Sequence, residues 1–269
     1  MNPKTPSHQY LRYHSGEWEN MGNGVIVETP VSLTVNGQVW LTLMCTPTDL
    51  EALAVGFLFN EGVIKSRDEI ELVQVCATED NVDVWLKHPV EQPQQWRRTS
   101  GCTGGKTSVT INQSYTELNN GLVLPPRVVL YLVGELSGAQ QLYRQVGGVH
   151  TSILSDGERV IVFAEDVGRH NSLDKIAGRC LLDGIQPQHK ILVTTGRISS
   201  EMIQKVARIG ASIVISRTSA TSLSVSMADQ WGITLIGYAR RDQFIVYTHS
   251  ERILQDTELL PEPFLPKEV

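Results

Sequence analysis

The sequence lacks the features of membrane-spanning, secreted and metal-binding proteins. Its 269 residues contain no run of about 18 apolar residues, so we expect no membrane helix. The polar N-terminus has no apolar core of a secretory signal, which predicts a cytoplasmic protein. The four cysteines show neither a C-x-x-C pair nor the spacing of a zinc site, so we expect no structural metal. The net charge of −6 lacks the basic surplus typical of nucleic-acid binders.

One of the four cysteines differs from the others in its surroundings. Cys45, Cys76 and Cys180 lie in apolar stretches, which is typical of a thiol that acts as a small buried hydrophobe. Cys102 instead lies among glycine, serine and threonine in SGCTGGKTSV, residues 100–109. Composition alone leaves two interpretations open, an incidental thiol in a polar linker or a reactive group on an adaptable loop.

The same stretch ends like a phosphate-binding P-loop, because Gly105, Lys106 and Thr107 form the closing triplet of that motif. A P-loop has four residues between its two fixed glycines, whereas three separate Gly101 from Gly105. A buried strand should also precede the loop and a helix should follow it, but QPQQWRRTS precedes it and no helical pattern follows. The sequence therefore argues against a P-loop.

Composition and periodicity divide the chain into segments. We predict a polar extension over 1–22, a smaller β-rich domain over 23–95, a flexible cysteine-bearing loop over 96–122, an α/β domain over 123–255 and a tail over 256–269. Two strands joined by Asn36-Gly37, a strong hairpin signal, are predicted in the β-rich domain, followed by a helix in TPTDLEALAVGFLFNEG that Gly62 ends.

The second half of the chain alternates between strand and helix patterns. A helix is predicted in PPRVVLYLVGELSGAQQLYRQVGG, and the runs HTSILS, RVIVFAE, KILVTT, SIVIS, ITLIGYA and FIVYTH predict strands, with further helices between them. This alternation predicts a three-layer α/β domain with a mixed sheet.

Polar residues collect where these strands end. Arg169 and His170 follow RVIVFAE, Arg197 follows KILVTT, and Arg217 follows SIVIS. If the strands are parallel, the three loops lie at one edge of the sheet, where ligands of α/β proteins bind near helix N-termini. Three arginines in a chain of charge −6 predict an anionic ligand such as a phosphate or diphosphate.

Each of these loops also has a structural interpretation. Asn171, Ser199 and Thr221 are suited to capping helices, and Asp174 and Lys175 can pair on a helix surface. His170 at a helix start can be a structural hydrogen-bonding group. The repetition of an arginine in three successive loops favours a binding edge over three separate structural explanations.

Several motifs resemble those of the formate dehydrogenase accessory protein FdhD family. They are EDVGRHNSLDK, TTGRISSEMIQK, SRTSATSLSV and GITLIGYAR, with VNG and LAVGFLFNEG earlier, and they extend from about Val25 to Ile253. The resemblance implies a sulfurtransferase that takes persulfide sulfur from a cysteine desulfurase. A sulfurtransferase of this family would pass the sulfur to the molybdenum (or tungsten) bis-guanine-dinucleotide cofactor needed for formate dehydrogenase activity. A homodimer and a larger domain similar to cytidine deaminase are also implied, without the P-C-x-x-C pattern that deaminase zinc requires.

The resemblance also assigns roles to individual residues. Cys102 matches the first cysteine of the family's C-x-x-C-like motif, which bears the persulfide, whereas Gly105 stands where the second cysteine would fall. The family's cofactor-binding segment matches Tyr238, Ala239, Arg240, Arg241, Asp242 and Gln243. The missing second cysteine leaves a cofactor-binding chaperone that transfers no sulfur as an alternative. An unrelated cysteine hydrolase would need a base for Cys102, and the sequence assigns no histidine to that role.

Overall fold

The computed structural model describes residues 7–93, 97–98, 106–107, 118, 121–186 and 189–254. Cys102 and Gly105, with most of the predicted cysteine-bearing loop, lie outside the described residues.

The described chain begins with a β-hairpin formed by β1 (Ser7–His14) and β2 (Glu17–Gly24). Tyr13 pairs with Trp18 across this hairpin, and their ring centroids are 5.1 Å apart. We predicted only a polar extension here, because neither strand alternates between apolar and polar residues. Backbone pairing and one aromatic contact form the hairpin instead, and its side chains are almost all exposed.

A four-stranded sheet follows, in the order β4-β3-β6-β5. Asn36 and Gly37 join its first two strands with φ angles of 47° and 80°, as the predicted tight hairpin turn requires. The elements of this part are β3 (Thr29–Val35), β4 (Gln38–Cys45), helix α1 (Leu50–Asn60), a short 3₁₀ helix (Arg67–Glu69), β5 (Ile70–Val75) and β6 (Asn81–Leu86). The predicted hairpin and helix are therefore confirmed.

Two short antiparallel strands, β7 (Arg97–Arg98) and β8 (Lys106–Thr107), follow the four-stranded sheet. The second half of the chain then forms a six-stranded sheet in the order β10-β9-β11-β12-β13-β14. Its strands are β9 (His150–Ser155), β10 (Val160–Asp166), β11 (Ile191–Thr194), β12 (Ile213–Ser216), β13 (Thr234–Gly237) and β14 (Ile245–Val246).

The pairing of this sheet is mixed, as predicted. β11, β12 and β13 are parallel neighbours, whereas β10, β9 and β14 join antiparallel partners. The helices are α2 (Pro126–Ala139), α3 (Gln141–Val146), α4 (Arg169–Leu182), α5 (Ser200–Ile209) and α6 (Ser222–Gln230), and a short 3₁₀ helix (Ser250–Arg252) follows β14. The single helix predicted before β9 is wrong, because Gln140 leaves helical geometry and divides α2 from α3.

Helices cover both faces of the six-stranded sheet. α2 packs against one face, where Leu132 joins Ile153, Ile191 and their neighbours in one apolar cluster. α4, α5 and α6 pack against the other face, where Leu192 belongs to a second cluster. Because successive strand residues point to opposite faces, this double coverage explains why all four residues of the central strand β11 are buried.

The two sheets are joined through α1 and α4, which cross at glycines. A Cβ atom added to Gly56 would lie 1.7 Å from the carbonyl oxygen of Asp174, and one at Gly178 would lie 1.9 Å from that of Ala52. Only glycine permits such close approach of two helix backbones. α1 is consequently buried on nearly all sides, between the four-stranded sheet and α4.

Buried ion pairs also connect these layers. Lys175 and Asp166 are fully buried and lie 2.7 Å apart, and the Lys175 ammonium also donates to the carbonyl oxygen of Thr46 at 3.0 Å. Asp174 is 2.5 Å from Lys205 on α5. The interpretation of Asp174 and Lys175 as a surface pair is therefore wrong. They bond separate buried partners because the face of α4 that carries them packs against other elements.

Candidate functional site

The ends of four strands meet at one edge of the six-stranded sheet. β11, β12 and β13 are parallel, and β10 has the same direction because β9 lies antiparallel between β10 and β11. The loops that follow these strands, residues 167–168, 195–199, 217–221 and 238–244, form what we call the strand-end edge. The arrangement predicted for the arginine-bearing loops is confirmed.

The loops after β10 and β11 are in direct contact. A Cβ atom added to Gly196 would lie 2.8 Å from the Cβ of Arg169, so the Arg169 side chain crosses the backbone of the next loop. Gly196 is also held from the other side, where the Ser216 hydroxyl donates to its carbonyl oxygen at 2.8 Å. This contact brings the loop that carries Arg169 against the loop that carries Arg197.

The loop after β13 is hydrogen-bonded to the loop after β12. The Tyr238 amide donates to the Thr218 carbonyl at 2.8 Å, and the Ala239 amide donates to the Ser216 carbonyl at 3.0 Å. Tyr238 adopts a φ of 51°, which is rare for a bulky residue. A turn then closes from the Arg240 amide to the Gln243 carbonyl at 2.8 Å.

The predicted site residues differ in exposure. Ala239 is fully buried and anchors its loop, whereas Tyr238 exposes its ring. Arg169 and His170 are buried beneath the edge. The remaining predicted residues are exposed along it: Arg197, Arg217, Arg240, Arg241, Asp242 and Gln243. The edge thus presents exposed guanidinium groups, and the side chains of Arg169 and His170 are buried beneath them in what we call the basic layer. This arrangement suits an anionic ligand.

Among the predicted site residues, His170 is the one whose side chain is buried with both polar atoms lacking hydrogen bonds in the described ranges. Burial holds the pKa of His170 well below its ordinary value, and the charges of Lys205 and Arg169 and the neighbouring His150 act in the same direction. The ring is therefore neutral at pH 7. The interpretation of His170 as a structural hydrogen-bonding group is wrong.

Two further basic residues join this layer and were not predicted. His150 begins β9, pairs with Asp166 and approaches the Thr195 hydroxyl through Nδ1 at 3.4 Å. Burial lowers the pKa of His150, and Arg169 lowers it further. Lys205 on α5 is also buried. No local sequence signal identifies either residue, because the insertion of β9 between β10 and β11 and the helix packing bring them here.

The N-termini of the helices at this edge differ in their capping. The Thr221 hydroxyl accepts a hydrogen bond from the Ser224 amide at 3.3 Å, which confirms the predicted cap of α6. The predicted cap at Ser199 is wrong, because its hydroxyl donates to the Glu201 carboxylate at 2.6 Å. The predicted cap at Asn171 is also wrong, because this residue lies inside α4 and its side-chain amide donates to the Met44 carbonyl oxygen at 2.8 Å. α4 has no side-chain cap. The first amide groups of α4 and α5 are thus not bonded by their capping side chains.

A separate cavity of about 670 Å³ lies between the start of α1, α3, β10 and the end of α4, and it contains none of the predicted site residues. Its charged lining is mostly acidic and consists of Asp49, Glu51, Glu79, Glu165, Asp183 and a single arginine, Arg179. A diphosphate would be repelled there, so the strand-end edge is the better candidate for an anion.

The described ranges lack two further kinds of feature. They contain no group of three or more histidine, cysteine or acidic side chains placed to hold a metal ion. None of the helices in those ranges is long and apolar enough to cross a membrane.

Comparison with known proteins identifies the family. The FdhD/NarQ family model matches residues 26–254. "Sulfur carrier protein FdhD" of Bacillus subtilis (strain 168) is 37% identical over 260 residues, covering 94% of this chain and 99% of that protein. The protein of that name from Staphylococcus aureus (strain MRSA252) is 33% identical over 254 residues, covering 92% of this chain and 96% of that protein.

A solved structure agrees with the sequence comparisons. A crystal structure from Desulfotalea psychrophila, assigned as a formate dehydrogenase accessory protein, superposes with a TM-score of 0.80 at 32% identity. The match covers 94% of this chain and 100% of that one. The chain described here belongs to the FdhD/NarQ family.

Proposed function

We propose that this protein is a cytoplasmic sulfurtransferase in which Cys102 carries sulfur as a persulfide. It takes the sulfur from a cysteine desulfurase and delivers it to the molybdenum (or tungsten) bis-guanine-dinucleotide cofactor required by formate dehydrogenase. Membership of the FdhD/NarQ family supports the proposal, since relatives of high coverage carry the name sulfur carrier protein. A homodimer and a cytidine-deaminase-like layering of the larger domain belong to the same proposal.

The environments of the other three cysteines favour Cys102 as the carrier. The thiolate is the reactive form of cysteine, and burial raises the pKa of Cys45 to about 12. Burial also raises the pKa of Cys180. The Cys76 thiol donates to the Asp80 carboxylate at 2.9 Å within a tight turn. None of these three thiols is presented as a nucleophile.

The position of Cys102 along the chain also suits a carrier. Arg97 pairs with Thr107 and Arg98 with Lys106, so two short strands bracket residues 99–105. Cys102 is the central residue of that connection. Its thiolate would attack the terminal sulfur of the desulfurase persulfide. The sulfur–sulfur bond of the donor then breaks and leaves the donor thiol, so the loading step needs no external oxidant or reductant.

The strand-end edge is the proposed site for the guanine-dinucleotide cofactor. Arg197, Arg217, Arg240 and Arg241 are exposed there, and guanidinium groups form strong charge-assisted bonds with diphosphate oxygens. Tyr238 exposes its ring beside them. The contiguity of these loops is the single structural observation that carries the cofactor-binding part of the proposal.

One alternative is a chaperone that binds the cofactor and formate dehydrogenase without moving sulfur. The observation that favours it is Gly105, which stands where the family motif has a second cysteine. A carrier with one cysteine has no second thiol for resolving or relaying the persulfide.

Mass spectrometry separates the two functions. The protein is incubated with a cysteine desulfurase and cysteine, and its peptides are then searched for an added sulfur atom. We expect the addition on Cys102 in the wild type and in the control variant Cys76→Ala, and no loading or dehydrogenase activation with Cys102→Ala. Full activation of formate dehydrogenase by Cys102→Ala would replace the sulfurtransferase with the chaperone.

Calorimetry with GDP tests the cofactor site independently. Arg197→Ala and Arg217→Ala should each weaken binding by about 1–3 kcal/mol through loss of charge-assisted hydrogen bonds. Arg159→Ala is the matched control, since Arg159 is exposed but belongs to the turn between β9 and β10 at the opposite edge. Equal affinities in all four proteins would contradict the assignment of this edge.

A further inference from the structure

His170 has two unused hydrogen-bonding positions in a place where water is excluded. Both ring nitrogens are buried and make no hydrogen bond among the described residues. A buried polar group without a partner destabilises the folded state, so such a group in a native protein needs an explanation. The side-chain oxygen of Asn60 on α1 is also buried and has no hydrogen-bond partner in the described part of the chain.

The position of His170 connects the strand-end edge to the helix junction beneath it. It lies in the first turn of α4, next to Arg169, whose side chain crosses Gly196. One turn later on the same face of α4, Asp174 bonds both Lys205 and Asn60. His170 is therefore on the same face of α4 as Asp174, one turn nearer the strand-end edge.

The groups around His170 are predominantly basic. Arg169 on its own helix, Lys205 on α5 and His150 on β9 all act electrostatically on the ring. The nearby carboxylates of Asp174 and Asp166 are each bonded to a lysine, Lys205 and Lys175 respectively. α1 contributes the uncharged Asn60. This environment keeps the unliganded ring neutral and would favour an anion placed against it.

We propose that His170 binds a phosphate group of the ligand directly at the uncapped start of α4 and takes up a proton when it does so. The proposal rests on the proposed cofactor site and adds a residue contact and a proton to it. An N–H group of the ring would donate to a phosphate oxygen beside the first amides of α4. Since the ring is covered in the unliganded protein, binding also requires a local rearrangement of the strand-end loops.

The sign of the pH dependence follows from the two states of the ring. Without ligand, the basic surroundings and burial hold the pKa of His170 well below 6.5, so the ring is neutral at pH 7. A bound phosphate favours the imidazolium and raises that pKa, so binding takes up a proton. Affinity must then fall as pH rises through the pKa of the bound state.

Calorimetry of the full-length protein with GDP, pyrophosphate and guanosine tests this proton uptake. Titrations at pH 7 in two buffers of different ionisation enthalpy give the number of protons taken up. We expect uptake with GDP and pyrophosphate and none with guanosine. His170→Gln, which cannot be protonated, should lose the uptake and bind GDP about tenfold or more weakly. His249→Gln is the control, because His249 lies at the opposite edge beside Thr234.

A second variant separates a ligand contact from a structural role. His170→Leu removes the two unpaired nitrogens, so the Tm of the unliganded protein should stay the same or rise while GDP binding weakens. A structural role, with a buried water bridging the ring, would instead lower the Tm and leave affinity unchanged. That result, or wild-type affinity and proton uptake in His170→Gln, would overturn the proposal.

Sulfur loading distinguishes failure of this inference from failure of the proposed function. If GDP binds the wild type without proton uptake, only the His170 inference is lost. If neither GDP nor pyrophosphate binds, the cofactor site and the inference fail together, whereas mass spectrometry of Cys102 still decides whether the protein carries sulfur.

Discussion

Replacement of Gly178 by alanine tests how the two sheets are held together. The added Cβ would lie 1.9 Å from the Ala52 carbonyl oxygen and within 2.7 Å of the Ala52 Cα. Both are backbone atoms of α1, so no side-chain rotation relieves the overlap. The two helices must move apart by roughly 1.5 Å before the methyl group reaches an ordinary contact distance.

The magnitude follows from opposing contributions. Overpacking a core typically costs about 1–3 kcal/mol, and a gap of this size removes about half or more of the dispersion energy of the contacts it separates. Alanine recovers about 1 kcal/mol through its higher helix propensity. Because the overlap involves backbone and α1 is buried on both sides, we expect the upper end of the cost. The upper cost of about 3 kcal/mol less this recovery of about 1 kcal/mol should lower the free energy of unfolding by about 2 kcal/mol.

Urea unfolding followed by circular dichroism measures this change. The matched control is Gly134→Ala in α2, where an added Cβ meets no atom within 4 Å. This control should gain about 1 kcal/mol from helix propensity alone. If Gly178→Ala were as stable as the wild type, the close crossing of α1 and α4 would not exist as described.

Three further predictions concern buried ionisable groups. Lys175→Met should lower the free energy of unfolding by about 3–5 kcal/mol, because it leaves the buried Asp166 carboxylate without its cation. Urea unfolding measures this change, and an unchanged unfolding midpoint would contradict the buried ion pair. Iodoacetamide at pH 8 should leave Cys45 unlabelled in the native protein and label it in urea, since its pKa is raised to about 12 by burial; labelling at the rate of a free thiol, seen by peptide mass spectrometry, would refute this. The free energy of unfolding should fall as pH drops below 6.5, because the folded state holds the pKa of His150 and His170 low whereas the unfolded chain accepts protons. The loss should reach up to about 1.4 kcal/mol per histidine and pH unit. Urea midpoints at pH 6.5 and 5.5 measure this dependence, which should be weaker in His170→Leu, and an identical dependence in both proteins would count against a neutral buried His170.

Local signals in the sequence predicted much of the fold. Asn36-Gly37 sets the first hairpin of the four-stranded sheet because only a few residues accept two successive positive φ angles. The β-branched runs of the second half form strands because their residues are buried on both faces of one sheet. In each case the residues that determine the structure are neighbours in the chain.

Predictions from the sequence were wrong where contacts between distant parts of the chain determine the structure. The β1–β2 hairpin has no apolar face, so periodicity gave no signal for it. Asp174 and Lys175 have the spacing and charges of a surface pair, but the helix face on which they lie packs against α1, α5 and the segment around Thr46. Burial of a charge is a tertiary property that neighbouring residues do not reveal.

The residues of the candidate site also fall into those that local sequence signals predicted and those that only tertiary contacts bring to the site. Arg197 and Arg217 were predicted because each follows its own strand and parallel pairing brings the ends of those strands to one edge, whereas Arg240 and Arg241 were assigned from the family resemblance. The basic layer beneath them could not be predicted in full, because His150 and Lys205 come from elements that reach the edge only through the order of the sheet and the packing of α5.

Departures from locally favourable structure are concentrated at the strand-end edge. Tyr238 holds a positive φ with a bulky side chain, His170 is buried with no hydrogen-bond partner among the described residues, and α4 begins without a side-chain cap. Each of these features costs stability, and simple substitutions such as His170→Leu would remove the cost. Selection for stability alone would not gather them in adjoining loops of one edge. Their coincidence with the exposed arginines is what binding of an anionic ligand at this edge would require, because a site that completes its hydrogen bonds only with ligand is unsatisfied without it.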